Sequence, residues 1–536
     1  MSTDLTSEEE PLGNDKAFET EPVFQDPQDA ALDKIHNFTG AYPKQLWYLF
    51  LTEMWERFCF YGMRGILTIF IATKLLAGLE HADKTANLQY GAIQAFVYAF
   101  TFIGGLFADK ILGFRKSLFW GALLMIIGNF IIAASPETFF YAGICCTIVG
   151  TGFFKPNIST MVGTLYKEGD PRRDAGFGLF YSGINIGALL GGIICVGVGK
   201  SDLSWTVGGH VFDSWALAFG SAGFVMIIGL VTFLFTKNSL GPIGLSPLKA
   251  SMKTSKKKTL EIAVYVGSIL AMPLIFMMVK NTSYTNIFMA IIGPATLLYL
   301  LYEMRSLNKK ERQKIMAALV FIIFSILFWA IFEQAGGSLS IFALKNVNDK
   351  VIGLTVDPNI VNNAANSIFV ILLSPLVGIL WLALAKKKLN PNTVVKFGLG
   401  FLFLGAAYYV FFATRFFQMS PGSGITSLNV FTFAYLIITF GELCLSPIGL
   451  SIMTKLSPKP LWGVMMGMWF LASAYGQYVA GIIGAGMADA KEGSSALDRL
   501  LAYTDGYKQL GLYALIAGVA LIVLSPLIRK LMHEVT

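Results

Sequence analysis

The sequence predicts an all-α membrane protein: two bundles of six membrane-spanning helices with two extra helices between them, about fourteen spans in all. Three observations lead there. Of the 536 residues, 55% are hydrophobic and only 14% charged, with mean hydropathy +0.62; a soluble domain carries about 25% charged residues. Apolar segments long enough to cross about 30 Å of hydrocarbon recur along the chain, mostly with short loops between them. Lysines and arginines gather in loops on one side of the spans, the positive-inside pattern. That pattern accounts for the formal net charge of +8, so no nucleic-acid partner is implied.

Residues 1–44 are polar and acidic, with Glu8, Glu9, Glu10, Asp15, Glu19, Glu21, Asp26, Asp29 and Asp33 against Lys16, Lys34 and Lys44. They contain no apolar run of signal-peptide type, and a disordered cytoplasmic tail is expected. The first bundle, residues 45–237, has spans at about 46–76, 90–108, 117–134, 139–164, 175–199 and 213–236. After its second span, Asp109 and Arg115 are expected to pair across a short loop, where small residues let helix ends approach.

Residues 238–314 form a linker with spans at about 260–279 and 284–303. They contain Pro273 and Pro294 but no interior charge, which assigns the pair a peripheral role. The second bundle, residues 315–536, has spans at about 315–344, 360–385, 394–413, 427–454, 461–487 and 508–531. Basic residues from Lys110 through Lys167, Lys256, Arg312, Lys387 and Lys455 to Arg529 mark one side, so both termini are expected in the cytoplasm. Two six-helix halves imply repeats about an axis along the membrane normal, with a substrate site at midplane.

The first span breaks the apolar pattern. Glu53, Glu56, Arg57 and Arg64 lie in it, each costing roughly 2.5–3.5 kcal/mol at the bilayer centre. At about 100° per residue, these charges share an arc of about 140° with Phe60 and Tyr61. Charges kept at that cost face an interior and have partners.

Other ionisable residues deep in spans are few: Lys155, Glu333 and Glu442. Each has a helix-loosening neighbour, respectively Pro156, Gly336-Gly337 and Pro447, so each is expected beside a bend. Three cations stand against four carboxylates. One proton would remove the difference. A zwitterionic substrate would leave the balance unchanged while offering a carboxylate to the cationic half and an ammonium to Glu442. All four histidines lie outside the spans, so a proton carrier within the membrane must be a carboxylate. The five cysteines lie in apolar segments without any CxxC, and read as small buried hydrophobes with no disulfide or metal role.

Glu53-x-x-Glu56-Arg57-Phe58-x-x-Tyr61-Gly62 resembles the first-helix signature of the proton-dependent oligopeptide transporter family, within the major facilitator superfamily. Gly152-Phe153-Phe154-Lys155-Pro156-Asn157, Phe180-Tyr181-Ser182-Gly183-Ile184-Asn185 and Phe328-Trp329-Ala330-Ile331-Phe332-Glu333-Gln334 are similar to its fourth-, fifth- and seventh-helix motifs. The stretches from Gly441 to Ser451 and from Met468 to Ser473 resemble the tenth and eleventh. The six-two-six layout resembles prokaryotic members.

The resemblance implies import of di- and tripeptides with protons across a bacterial inner membrane. It implies a monomer among membrane lipids, with the proton as coupling ion and no other cofactor. Arg57 and Lys155 would receive the peptide carboxylate; Glu442, Asn185 and Asn366 the amino end. Glu53, Glu56, Arg57, Lys155 and Glu333 would take part in proton coupling. Arg64 and Glu333 would bridge the halves on the outer side and border the substrate, and Tyr61, Tyr98, Trp469 and Ser473 would line it. The sequence departs from the family at Phe60, where a second tyrosine is usual, and at Ser367, where proline usually follows the asparagine.

Import of nitrate or an amino-acid derivative on the same scaffold is an alternative; the paired ends-recognition set favours peptide. No HExxH, His-rich cluster or Gly-x-Ser-x-Gly elbow is present, and the loops are too short for a catalytic or signalling domain. An intramembrane enzyme or a receptor is therefore not expected.

Overall fold

The computed structural model describes residues 27–249, 251–445, 449–488 and 494–535. Most of the expected tail (residues 1–26) lies outside the described residues, as do Ser446, Pro447 and Ile448 and with them the bend expected beside Glu442.

Where disorder is expected through residue 44, helix α1 (Pro27–His36) forms. Asp29 in its first turn and Lys34 and His36 in its last suit the helix dipole. Ile35 is buried, and Leu32 packs beside it. The strand of chain after α1 is clamped: Arg172 donates to the carbonyls of Phe38 (3.2 Å) and Gly40 (3.3 Å). Its guanidinium carbon lies 3.8 Å from the Phe38 ring centroid. The same Arg172 hydrogen-bonds the Asp170 carboxylate and holds it below the usual carboxylate range.

The first bundle is α2 (Lys44–Phe70), α3 (Ala82–Phe107), α4 (Phe114–Ala134), α5 (Pro136–Thr164), α6 (Arg173–Gly199) and α7 (Ser214–Thr236). Single π turns extend α2 through Ile71–Leu75 and α3 through Ala108–Leu112. The inserted pair is α8 (Thr254–Lys280) and α9 (Thr282–Glu303). The second bundle is α10 (Lys309–Phe332), α11 (Ser338–Asn346), α12 (Pro358–Lys386), α13 (Thr393–Ala413), α14 (Leu428–Leu445), α15 (Gly449–Lys455), α16 (Trp462–Met487) and α17 (Ala496–Met532).

Among the described residues, 13 helical runs are long and apolar enough to cross a membrane, with α10 and α11 forming one run. α16 has 26 residues and completes the expected fourteen; Gln477, Tyr475, Tyr478 and its glycines dilute its hydropathy. Two short hairpins at loop ends escaped the apolar-run reading: β1 (Trp205–Val207) with β2 (His210–Phe212), and β3 (Lys350–Val351) with β4 (Leu354–Thr355).

The helices of each bundle pack mainly with one another. The two bundles meet along two seams, α3 on α16 and α6 on α12. α10 starts with a capping box, in which Asn308 and Glu311 satisfy each other's backbone N–H groups. It ends at Phe332; a 3-10 turn over Glu333–Gly336 follows, and Gly337 (φ −109°, ψ −105°) separates it from α11. Carbonyls near this break find donors: Tyr408 Oη on Ile331 (2.5 Å), Asn362 Nδ2 on Ala335 (2.8 Å) and Thr68 Oγ1 on Gly336. That is the condition under which a broken helix is tolerated in a membrane.

The expected Asp109–Arg115 pair does not form. Arg115 turns to the linker instead and donates to the carbonyls of Ile243 (2.8 Å) and Gly241. A fixed carbonyl turn offers several acceptors at one place, which a single mobile carboxylate does not.

The seam between α3 and α5 is glycine-tight. A Cβ on Gly104 would stand 2.2 Å from the Gly152 carbonyl oxygen, whereas one on Gly105 would meet Pro156 at an ordinary 3.6 Å. Gly104→Ala is therefore expected to cost about 1–3 kcal/mol through overpacking, and to lower the thermal unfolding midpoint in detergent while Gly105→Ala does not. Equal midpoints for both variants would contradict this packing account.

Candidate functional site

α2 carries both ends of the site. Toward its C-terminal end, Arg64 (α2) forms an ion pair with Glu333, the first residue of the break after α10, so the pair joins the two bundles. Tyr90 of α3 accepts a 2.8 Å hydrogen bond from Arg64 Nε. Two further ion pairs join the bundles at the same end: Lys200–Asp357 (2.5 Å) and Lys345–Asp83 (2.5 Å). Asn359 Oδ1 also accepts from Lys200 (2.9 Å). Among the described residues no ion pair joins the bundles at the basic end. The molecule is thus closed at the end where α2 terminates.

About two turns back along α2 lies a buried cluster. Arg57 directs Nε and Nη2 to the two oxygens of Glu56, the latter at 2.5 Å. Glu53 Oε1 is 3.4 Å from Arg57 Nε. Glu53 Oε2 is buried and has no hydrogen-bond partner. The two glutamates are therefore unequal: Glu56 is saturated by one guanidinium, while Glu53 has an oxygen left over. All three residues are at most 2% exposed.

Lys155 of α5 has no carboxylate partner among the described residues. Its ammonium lies 4.1 Å from the Tyr98 ring centroid and 5.9 Å from that of Phe60. Arg57 lies 4.9 Å from the same Phe60 ring. Phe60 thus presents a π surface to two cations, where a ring can help hold charge without removing it. Tyr61 stands between Arg57 (5.8 Å) and Arg64 (5.7 Å).

Across the interface, Glu442 of α14 accepts from Asn366 Nδ2 (2.8 Å) and, from the opposite bundle, Tyr181 Oη (3.2 Å). Asn366 also donates to Thr439 Oγ1 (3.2 Å). Asn185 lies one turn from Tyr181 and donates to its backbone carbonyl (2.9 Å), a bond within its own helix and not to Glu442. On α16, Ser473 Oγ bonds the Trp469 carbonyl (3.3 Å), and both residues are nearly buried. Lys155, Tyr98, Tyr61, Tyr181, Asn366 and Glu442 are partly open although they lie mid-span. The open side chains belong to both bundles, and the Tyr181–Glu442 bond crosses between them. The space they border therefore lies between the halves.

Sequence reasoning did not assign Tyr181, Thr439, Tyr90, Asn359, Asn362 or Asn363. The asparagines carried a usable signal: with Asn366 they recur at i, i+3, i+4 and i+7, one face of a helix. Asn362 Oδ1 accepts from Tyr435 Oη (2.6 Å), and Asn359 Nδ2 donates to the Ser340 carbonyl (2.7 Å). Among the described residues no group of His, Cys, Asp or Glu is placed to hold a metal ion.

A sequence profile of the POT family matches residues 115–499. The "Peptide transporter YePEPT" of Yersinia enterocolitica is 32% identical over 511 residues, covering 92% of this chain and 96% of the relative. The "Di-/tripeptide transporter" of Lactococcus lactis subsp. cremoris is 32% identical over 525 residues, covering 94% of this chain and 99% of the relative. A crystal structure of a mutant "peptide transporter POT" in complex with alafosfalin superposes with TM-score 0.78 at 31% identity, covering 95% of this chain and 100% of that one.

Proposed function

The chain belongs to the POT family, and from that membership we propose that it imports di- and tripeptides with protons, by alternating access between its two halves. It is a transporter of the major facilitator fold and not an enzyme. One observation carries the peptide reading: a cation of one half, Lys155, and a carboxylate of the other, Glu442, are both partly open mid-span, with Arg57 buried in the same half as Lys155. Arg57 and Lys155 stand on one side; Glu442, held by Asn366 and Tyr181, stands on the other. Such a pair measures the distance between a carboxylate and an ammonium and leaves the side chains in between unread. Loose side-chain pockets with gripped ends give breadth of substrate.

In this reading the peptide carboxylate is received by Arg57 and Lys155, and its ammonium by Glu442 and Asn366, with Asn185 turning from its own helix to join them. Tyr61, Tyr98, Trp469 and Ser473 line the side-chain space. Glu53 is the carboxylate with an oxygen available for a proton. Protonating it removes one negative charge from the Glu53–Glu56–Arg57 cluster and loosens the 3.4 Å contact of Arg57 to Glu53, leaving Arg57 on Glu56. The Arg64–Glu333 pair closes the outer end and must part for peptide to enter. The functional units are residues 45–237 and 315–536, with 238–314 between them. The chain works as a monomer in lipid, in the bacterial inner membrane. The basic loops support cytoplasmic placement of both termini.

Uptake of labelled dialanine into proteoliposomes tests this directly. It is expected to require an inward proton gradient and to be competed by other di- and tripeptides. N-acetyl-dialanine, which lacks the ammonium, is expected to compete at least about tenfold less well, the loss of one charge-assisted contact. Uptake indifferent to pH gradient and membrane potential would remove proton coupling. Competition by nitrate alone would move the substrate to a small anion.

A further inference from the structure

The inserted pair α8–α9 touches both halves of the molecule. α8 is fixed to the first bundle: Trp120 Nε1 donates to Ser268 Oγ (3.0 Å), and Lys116 pairs with Glu261 (2.5 Å). The Trp120 and Tyr265 rings lie 4.8 Å apart. α9 reaches both halves: Phe288 lies against Phe96 of α3, ring centroids 5.6 Å apart, and α16 of the second bundle holds α9 by hydrogen bonds. Tyr478 Oη donates to Asn286 Oδ1 (2.8 Å). Tyr475 Oη accepts from the Gly293 N–H (2.9 Å) and donates to the Met289 carbonyl.

Met289 and Gly293 are four residues apart, the spacing at which a helix bonds its own N–H to its own carbonyl. The Tyr475 hydroxyl therefore addresses both members of one rung of the α9 ladder. The position needs glycine, because a Cβ on Gly293 would stand 2.2 Å from that hydroxyl. On α16, Tyr475 and Tyr478 lie about 180–240° around the helix from Trp469, with Ser473 at about 40°. One face of α16 borders the space between the halves while the opposite face is held by α9.

We infer that α8–α9 is a brace tying the two halves across the α3–α16 seam, and that Tyr475 is the positioning residue through which it holds α16. The brace is engaged in the arrangement closed at the Arg64–Glu333 end. Rocking the halves must shear the α8, α9 or α16 contacts, so loosening the clasp lowers the cost of leaving this arrangement. The inference rests on alternating access but not on the identity of the substrate.

Spin labels at Ser204→Cys and Leu354→Cys, exposed residues in loops at the closed end of opposite halves, report that end's opening by distance measurement in proteoliposomes. The five native cysteines are buried and leave the labelling specific. In Tyr475→Phe, which retains the ring, the ratio of long to short distances is expected to rise about three- to tenfold, the worth of one or two hydrogen bonds. Gly293→Ala should shift it the same way, and the double variant no further than the larger single one. A ratio within about twofold of the parent in both single variants, even with a lowered unfolding midpoint, would reduce the pair to a structural accessory. Full additivity in the double variant would separate Tyr475 from Gly293 and overturn the clasp. The distances use no peptide, so a failure of dialanine uptake would count against the substrate reading alone.

Discussion

Glu53→Gln is expected to abolish concentrative uptake while leaving peptide exchange. Glu53 has a buried oxygen with no partner, whereas both oxygens of Glu56 are taken by Arg57. Glutamine at 53 keeps the shape and removes the titration. One proton moving down one pH unit can drive about tenfold accumulation, and in the variant that ratio should fall to about one. Counterflow, in which labelled dialanine outside exchanges for unlabelled inside, needs no net proton movement and should persist. Glu56→Gln behaves differently. It leaves Arg57 one neutral amide oxygen at residue 56 and the 3.4 Å contact to Glu53, so a buried guanidinium loses its charged bidentate partner at a cost of several kcal/mol; folding yield and exchange should both suffer. If Glu53→Gln still accumulated dialanine against its gradient, the proton would have to be carried elsewhere.

Lys155→Ala is expected to bring gradient-driven uptake down to the level of empty liposomes. The ammonium has no carboxylate partner among the described residues and rests on Tyr98 at 4.1 Å, so it is available to an incoming carboxylate. Losing one partner of a desolvated charge pair costs about 2–5 kcal/mol, some thirtyfold or more in affinity. Because Lys155 makes no structural ion pair, the variant should fold, with a thermal midpoint near the parent's. Binding of dialanine measured by calorimetry should weaken in step with uptake. Unchanged accumulation would take Lys155 out of the mechanism. A collapsed midpoint with normal affinity in the surviving fraction would make it a structural cation.

The helices were legible because a membrane imposes a strong one-dimensional code. A run of apolar residues either spans or does not, and buried charge is too costly to occur by accident. Glu53, Glu56, Arg57, Arg64, Lys155, Glu333 and Glu442 were found on that ground. The break after Glu333 was signalled by Gly336-Gly337. Less was legible where a residue has several possible partners. Arg115 reads equally as a partner of Asp109 and of a carbonyl turn, and the turn formed by the linker took it. α1 was hidden because its short apolar stripe, Leu32 and Ile35, has value only against a surface folded elsewhere. Asn185 was grouped with Glu442 by motif, but its amide is turned to its own helix.

By itself, the sequence determined the number of spans, their six-two-six grouping and which face of α2 is charged. Periodicity and hydration cost act along the chain, so they can be read along it. Tertiary structure alone decided what each polar group meets: that Glu53 keeps a free oxygen while Glu56 does not, that Tyr181 reaches Glu442 from the other half, and that Tyr475 clasps α9. Hydrogen bonds are satisfied within about 3 Å, and no spacing along a helix says which neighbour the fold will bring that close.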